Sequence, residues 1–159
     1  FRYQTPEGKI LNGRMMVSIE GKETINGKKY YKQSSVISGI QGAAPQYSYS
    51  RRTKEGIWRI EGVTPNDREY LSTPFPLTVG KTWSVKSSDG VMNFVADRIE
   101  TVKPLGKEYE DALKVYFSGD KGASHIEGYS YFAPHIGEIW TRIQIGNVGV
   151  EYILDKYSK

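Results

Sequence analysis

The chain has no cysteine, which excludes disulfides, thiolate metal sites and a cysteine nucleophile. Histidine is nearly absent as well, with only His125 and His135 to serve as imidazole acids, bases or ligands. No apolar run approaches the roughly 20 residues that a membrane-spanning helix needs. The G-x-S-x-G elbow, the H-E-x-x-H zinc motif, the P-loop and the G-x-G-x-x-G fingerprint are all missing. Phenylalanine is sparse at 5 residues, whereas tyrosine reaches 12. Tyrosine fits a half-buried pleated surface while keeping its hydroxyl in water, so this bias favours strands over helices.

Charge is modest and mixed. The formal net charge is +4, and the nearest thing to a basic cluster is Arg51, Arg52 and Lys54. With no RNP-like or zinc-finger motif beside it, this reads as the solvated surface of a soluble protein and not as a nucleic-acid footprint. The first residue is Phe1, not methionine, so any signal segment or lipid-bearing cysteine is expected upstream of it.

What is present is period-2 alternation broken by turn residues, the pattern of antiparallel strands. Arg14 to Ile25 reads as a strand with Met15, Val17 and Ile19 on one face. Asn26-Gly27, a dipeptide suited to a type I′ turn, joins it to Lys28–Ser38. Gly39 to Pro45 interrupts, then Tyr47, Tyr49 and Arg51 alternate before a turn at Lys54-Glu55-Gly56 and a returning strand with Trp58 and Ile60. Val63 to Thr78, with Pro65, Pro74 and Pro76, reads as a connection holding one helical turn near Asn66 to Leu71.

Beyond Gly80 the alternation resumes. Trp83 and Val85 lead to a turn at Ser87 to Gly90, and Val95, Ile99 and Thr101 line one face of the next strand. Leu113, Val115 and Phe117 point one way and Lys114 and Tyr116 the other. His125 to Phe132 and Glu138 to Ile145 follow, and Gly146-Asn147 closes a last hairpin onto Val148 to Leu154. The expectation is one all-β domain over 1–159, residues 1–12 forming a loosely ordered arm. About nine or ten strands in meander order would make one strongly curved antiparallel sheet, an open or closed barrel, with a two-sheet sandwich as the alternative.

Four phrases carry a resemblance. They are Asn26-Gly27-Lys28-Lys29-Tyr30-Tyr31, Pro76-Leu77-Thr78-Val79-Gly80-Lys81-Thr82-Trp83, Asp111-Ala112-Leu113-Lys114-Val115 and Tyr131-Phe132-Ala133-Pro134-His135-Ile136-Gly137-Glu138-Ile139. Their order resembles a group of uncharacterised bacterial secreted proteins and lipoproteins with P-L-x-x-G-x-x-W and Y-x-A-P-x-x-G phrases. The charged Lys107-Glu108-Tyr109-Glu110 turn departs from that group, where a short Gly/Thr/Phe turn is more common. The resemblance implies an exported location: periplasmic, outer-membrane-anchored or secreted. It implies no catalytic residue, and the shared glycines, prolines and Trp83 also suit a scaffold of turns and core.

Candidate chemistry is thin. On a strand, His125 shares a face with Glu127, Tyr129 and Tyr131, which describes a polar surface stripe. Two ligands from one strand make no zinc site without a third. His135 lies in a turn three residues before Glu138 and reads as exposed. No cofactor and no metal is implied. Trp140 falls opposite the isoleucines of its strand, together with Arg142. With Tyr129 and Tyr131 it forms a candidate ligand-binding face, unless the sheet is covered on both sides there. Tyr47, Tyr49 and Arg51 make a candidate partner surface of Tyr/Arg composition.

Three functions compete. The first is a non-catalytic module of the bacterial cell envelope or secreted fraction, acting by protein or surface binding. The second is a carrier of a small apolar or amphipathic ligand on the concave face of the sheet. The third is a glycan enzyme using a carboxylate pair. The oligomeric state stays open, since an exposed edge strand pairs with a second copy unless charges guard it.

Overall fold

Tyrosine, valine, isoleucine and threonine at alternating positions commit most of this chain to strands, and in the computed structural model strands dominate. The structure describes residues 1–38, 44–60, 68–88 and 90–156. The strands are β1 (Arg2–Gln4), β2 (Ile10–Asn12), β3 (Arg14–Ile25), β4 (Lys28–Ser38), β5 (Gln46–Arg52), β6 (Gly56–Ile60) and β7 (Glu69–Pro74). They continue as β8 (Thr82–Ser87), β9 (Gly90–Val102), β10 (Tyr109–Lys121), β11 (Ser124–Ala133), β12 (Gly137–Ile145) and β13 (Val148–Ile153). A single 3-10 turn at Pro104–Gly106 is the only helical element among the described residues, and no helix there is long and apolar enough to cross a membrane.

Every strand pair is antiparallel, as the tight hairpins require, but the strands divide between two sheets and neither closes on itself. One has eight strands in the order β2-β1-β13-β12-β11-β10-β9-β8 and the other five in the order β3-β4-β5-β6-β7. The count exceeds the nine or ten expected because β1, β2 and β7 carry too few alternating residues to stand out. The chain has two compact units, Gly13–Pro76 and Phe1–Asn12 with Leu77–Lys159. The ladder stops at Pro74 and Pro76, whose missing N–H groups cannot extend it.

In the smaller unit the β3–β4 hairpin has the bounds and turn that its sequence implies. Asn26 and Gly27 both take positive φ, 50° and 76°, the backbone of a type I′ turn. Tyr30, Tyr49 and Ile60 form its buried cluster, with Ile25 against them. The helical turn expected near Asn66 to Leu71 is not found in its described part. Glu69–Pro74 is instead a strand paired with β6, Gly56 lying opposite Pro74. Local proline had suggested a loop, but an edge strand tolerates Pro74 at its end, and tertiary pairing decided the outcome. Asn66 itself, and residues 39–43 of the Gly39–Pro45 break, lie outside the described residues.

In the larger unit β8 to β13 form a meander, and the β1–β2 hairpin extends it by pairing β1 with β13. The N-terminal segment expected to be a loose arm thus contributes two strands. Val95, Ile99 and Thr101 do not share a face, as strict alternation suggested. Lys114 pairs with Arg98 but Val115 with Ala96, so Asp97 is an extra residue that inverts the parity. Val95 therefore lies opposite Tyr116 and Ile99 opposite Leu113. A second irregularity inserts Ile139, since Tyr131 pairs with Trp140 and Phe132 with Glu138. Ile139 consequently leaves the row of Thr141 and Ile143, and it is the most deeply buried of the strand's isoleucines.

Both faces of the larger sheet carry packed side chains. On one, Ala96, Leu113 and Val115 are buried with Trp83, Phe94 and Phe132 against them, and Trp83 stacks on Phe94 at 5.0 Å between centroids. On the other, Val102, Tyr109, Ala112, Tyr131, Ala133 and Ile139 form the core, with Tyr129, Trp140 and Leu154 packed against it. Gly80 and Gly137, expected to serve turns, have φ of 86° and 100°.

Candidate functional site

Directly paired residues of an antiparallel ladder point to the same face, so the register of β9 to β13 assembles a surface from side chains far apart in sequence. Arg98 faces Lys114, Lys114 faces Tyr131, and Tyr131 faces Trp140. One step along, Tyr116 faces Tyr129, Tyr129 faces Arg142, and Arg142 faces Glu151. Tyr129, Tyr131, Trp140 and Arg142, expected together from parity, do share this face. Lys114, Tyr116, Glu100 and Glu151 join them, which parity alone could not show because it requires the cross-strand register.

Lys114 is the centre of the arrangement. It is only 8% exposed, and its Nζ lies 4.6 Å from the ring centroid of Tyr129, 4.7 Å from Tyr116 and 5.5 Å from Tyr131. Three electron-rich ring faces compensate a cation that burial would otherwise penalise. Burial acts to lower the Lys114 pKa, but hydrogen bonds with the hydroxyls of Tyr116 and Tyr131 outweigh it and the pKa is raised. The same bond from Lys114, with a smaller contribution from Arg98, holds Tyr116 below the usual phenol range.

The rings form a connected array. Tyr131 stacks on Trp140 with centroids 5.2 Å apart, and Tyr129 stands edge-on to Trp140 at 5.9 Å and to Tyr131 at 5.6 Å. Polar tips are tied down at its rim. The Tyr131 hydroxyl donates to Glu100 Oε1 at 2.6 Å, Arg98 Nε donates to Glu100 Oε2 at 3.0 Å, and Trp140 Nε1 donates to Glu151 Oε1 at 3.0 Å. The Tyr131 hydroxyl first, and Arg98 next, hold the Glu100 carboxyl below its ordinary value. Burial, then the neighbouring Glu100, pushes the Tyr131 phenol up.

One face of the Trp140 ring is thus covered by Tyr131, and Trp140 is half-buried. The outward groups are Tyr116 at 40% exposure, together with Arg98 and Arg142. Such a surface presents a rigid aromatic base with fixed cations and carboxylates, suited to holding a polar partner by hydrogen bonds and ring contacts.

The second predicted patch is different. Tyr49 is buried in the core of the smaller sheet, and Arg51 Nε donates to Glu69, so only Tyr47 of that stripe is exposed. The expectation of an exposed Tyr/Arg surface fails there because Tyr49 and Arg51 lie on the face that carries the buried Tyr30–Ile60 cluster, next to Tyr30 and Trp58. Glu69 gathers Lys28 Nζ at 2.5 Å, the Tyr30 hydroxyl at 2.5 Å and Arg51, a network with the look of a structural tie. His125 is exposed, its Nδ1 2.8 Å from Asp120 Oδ1 across the β10–β11 hairpin, and His135 is exposed in its turn with φ of 62°. No protein-family model matches this chain, and comparisons with curated proteins and with solved structures give no significant match.

Proposed function

We propose that the chain is a non-catalytic binding module of the bacterial cell envelope or secreted fraction, working through the Lys114-centred face of the larger sheet. The observation that carries this reading is the array itself. A buried cation enclosed by three tyrosines, next to a stacked Tyr131–Trp140 pair, is an expensive way to build a plain surface but a good way to fix the geometry of a recognition face. The exported location rests on the resemblance carried by the Pro76-to-Trp83 and Tyr131-to-Gly137 phrases.

The test is cosedimentation with purified bacterial envelope, membranes and sacculi together. Wild-type protein is expected to pellet, and the exposed double variant Tyr116→Ser/Arg142→Ala to lose about tenfold in affinity with its circular dichroism unchanged. Wild-type protein that stays in the supernatant, or a variant that pellets equally, overturns the reading. In parallel, the product of the native gene should fractionate outside the cytoplasm.

A second reading has its own observation. On the opposite face Trp83, Phe94, Phe117, Ile143, Val150 and Tyr152 are only half-buried, an apolar surface of the kind that holds an amphipathic ligand. A fluorescent apolar probe that brightens on this protein and is displaced by a long-chain amphiphile would favour the carrier. No brightening would remove it.

A further inference from the structure

Among the described residues strand β3 is an edge of the five-stranded sheet, and its first half is apolar and exposed. Met15 is 40% exposed, Met16 66%, Val17 53% and Ile19 64%. Edge strands of this length are normally blunted by proline, by lysine or by a bulge. Between Arg14 and Ile19 there is no proline or lysine, and the only bulge comes at Glu20, where Ile19 pairs with Gln33 but Gly21 with Lys32. Arg14 to Ile19 therefore offer an unguarded row of backbone donors and acceptors that ends at the bulged Glu20.

We propose that this edge is a dimer interface: a second copy of the chain pairs antiparallel with β3 about a two-fold axis at Val17, joining two five-stranded sheets into one of ten. The sequence of the segment is self-complementary in that register. Arg14 lies opposite Glu20 of the second copy, Met15 opposite Ile19, Met16 opposite Ser18, and Val17 opposite itself. Arg14 and Glu20 belong to the same face: Arg14 pairs with Ser38, and Glu20 reaches Lys32, an even-numbered neighbour of Ser38 on β4. Each dimer would thus gain two Arg–Glu pairs on one face and a Met–Val–Ile row on the other, both arrangements that stabilise cross-strand pairing.

Neighbouring registers are worse. Sliding by one pair in one direction sets Arg14 against Lys22, and sliding further sets Glu20 against itself. Sliding the other way sets Arg14 against Ser18 and leaves Glu20 beyond the paired stretch. Charge selects the register as hydrophobicity drives the contact, which is the symmetry that an isologous interface demands. A pairing of seven residues is small, so a dissociation constant on the order of 10 to 100 µM is expected.

Sedimentation equilibrium of the chain should show a concentration-dependent dimer. Arg14→Glu should weaken it about tenfold, and Arg14→Glu/Glu20→Arg, which swaps the charges, should restore it. Because the chain has no cysteine, Val17→Cys gives a second measurement independent of those variants: mild oxidation should join two copies, while Met16→Cys, which faces Ser18, should join them far less. A monomer at every concentration up to about 1 mM, roughly tenfold above the weakest dissociation constant expected, overturns the proposal. So does a dimer indifferent to Arg14→Glu and not captured by Val17→Cys.

Discussion

Tyr131 lies almost parallel to Trp140, ring centroids 5.2 Å apart and planes inclined by 20°, although the two residues stand on different strands and separate sides of the Pro134–Gly137 turn. The pairing links the buried cluster of the larger unit to its outward rings. Trp140→Ala should accordingly cost about 3 kcal/mol in urea unfolding, toward the lower end for a large aromatic because Trp140 is half-buried. Tyr131→Phe keeps the stack and removes the hydroxyl's bonds to Glu100 and Lys114, so about 1 to 2 kcal/mol is expected.

Glu69 gives the smaller unit an acid-sensitive tie. Burial acts to raise its pKa, but the bonds from Arg51, Lys28 and Tyr30 overcome this and hold it at about 2 against an ordinary 4.5. A carboxyl depressed in the fold contributes stability that is fully present above its unfolded value and is lost as pH falls through the folded one. Stability should therefore decline between about pH 4.5 and pH 2, by about 2 to 3 kcal/mol from this group. Glu69→Gln should flatten that part of the pH profile measured by denaturant unfolding, at the cost of lower stability near neutrality.

Tyr116 should titrate below the ordinary phenol range. Its depression comes from Lys114 first and Arg98 second, so Lys114→Met should move it up toward the ordinary phenol value of 10.0. Ultraviolet difference spectra across the alkaline range, with Tyr116→Phe to assign the signal, would read this directly. A titration of Tyr116 that does not respond to Lys114→Met would contradict the cage geometry.

Gly128 stands opposite Phe117 in the β10–β11 ladder, and a Cβ there would come within 2.7 Å of Phe117 Cζ and 2.1 Å of the Arg142 carbonyl. The backbone atom cannot swing away as a side chain can. Gly128→Ala should destabilise the larger unit by about 3 kcal/mol. Hydrogen exchange localised to β10, β11 and β12 would confirm where the strain falls.

The hairpins were legible because their signals are local. Asn26-Gly27 fixes a turn by backbone conformation alone, and β3 and β4 consequently have the bounds their alternation implies. Faces were legible wherever strands stay regular, as for Lys114 and Tyr116 against Leu113 and Val115. They were lost at Asp97 and Ile139, because a single inserted residue reverses parity without any mark in composition. Likewise β7 is stabilised by pairing with β6, and nothing within Glu69–Pro74 announces it. Parity placed Trp140, Arg142, Tyr129 and Tyr131 on one face, but Lys114 at their centre needed the register between strands. Tyr49 and Arg51 were misplaced for a related reason: alternation shows that they share a face and not which face is covered.

The larger unit is discontinuous along the chain. Its first two strands are synthesised early and pair with each other, yet β1 finds its second partner only in β13, where Arg2 meets Glu151. Among the described residues, the strands of the intervening Gly13–Pro76 stretch form a meander and pair with one another. On a ribosome adding about 5 to 20 residues per second, this stretch can mature while the N-terminal hairpin still waits for the last strand to emerge. The nascent protein therefore passes through a stage with its inserted unit formed and the unit that hosts it unfinished.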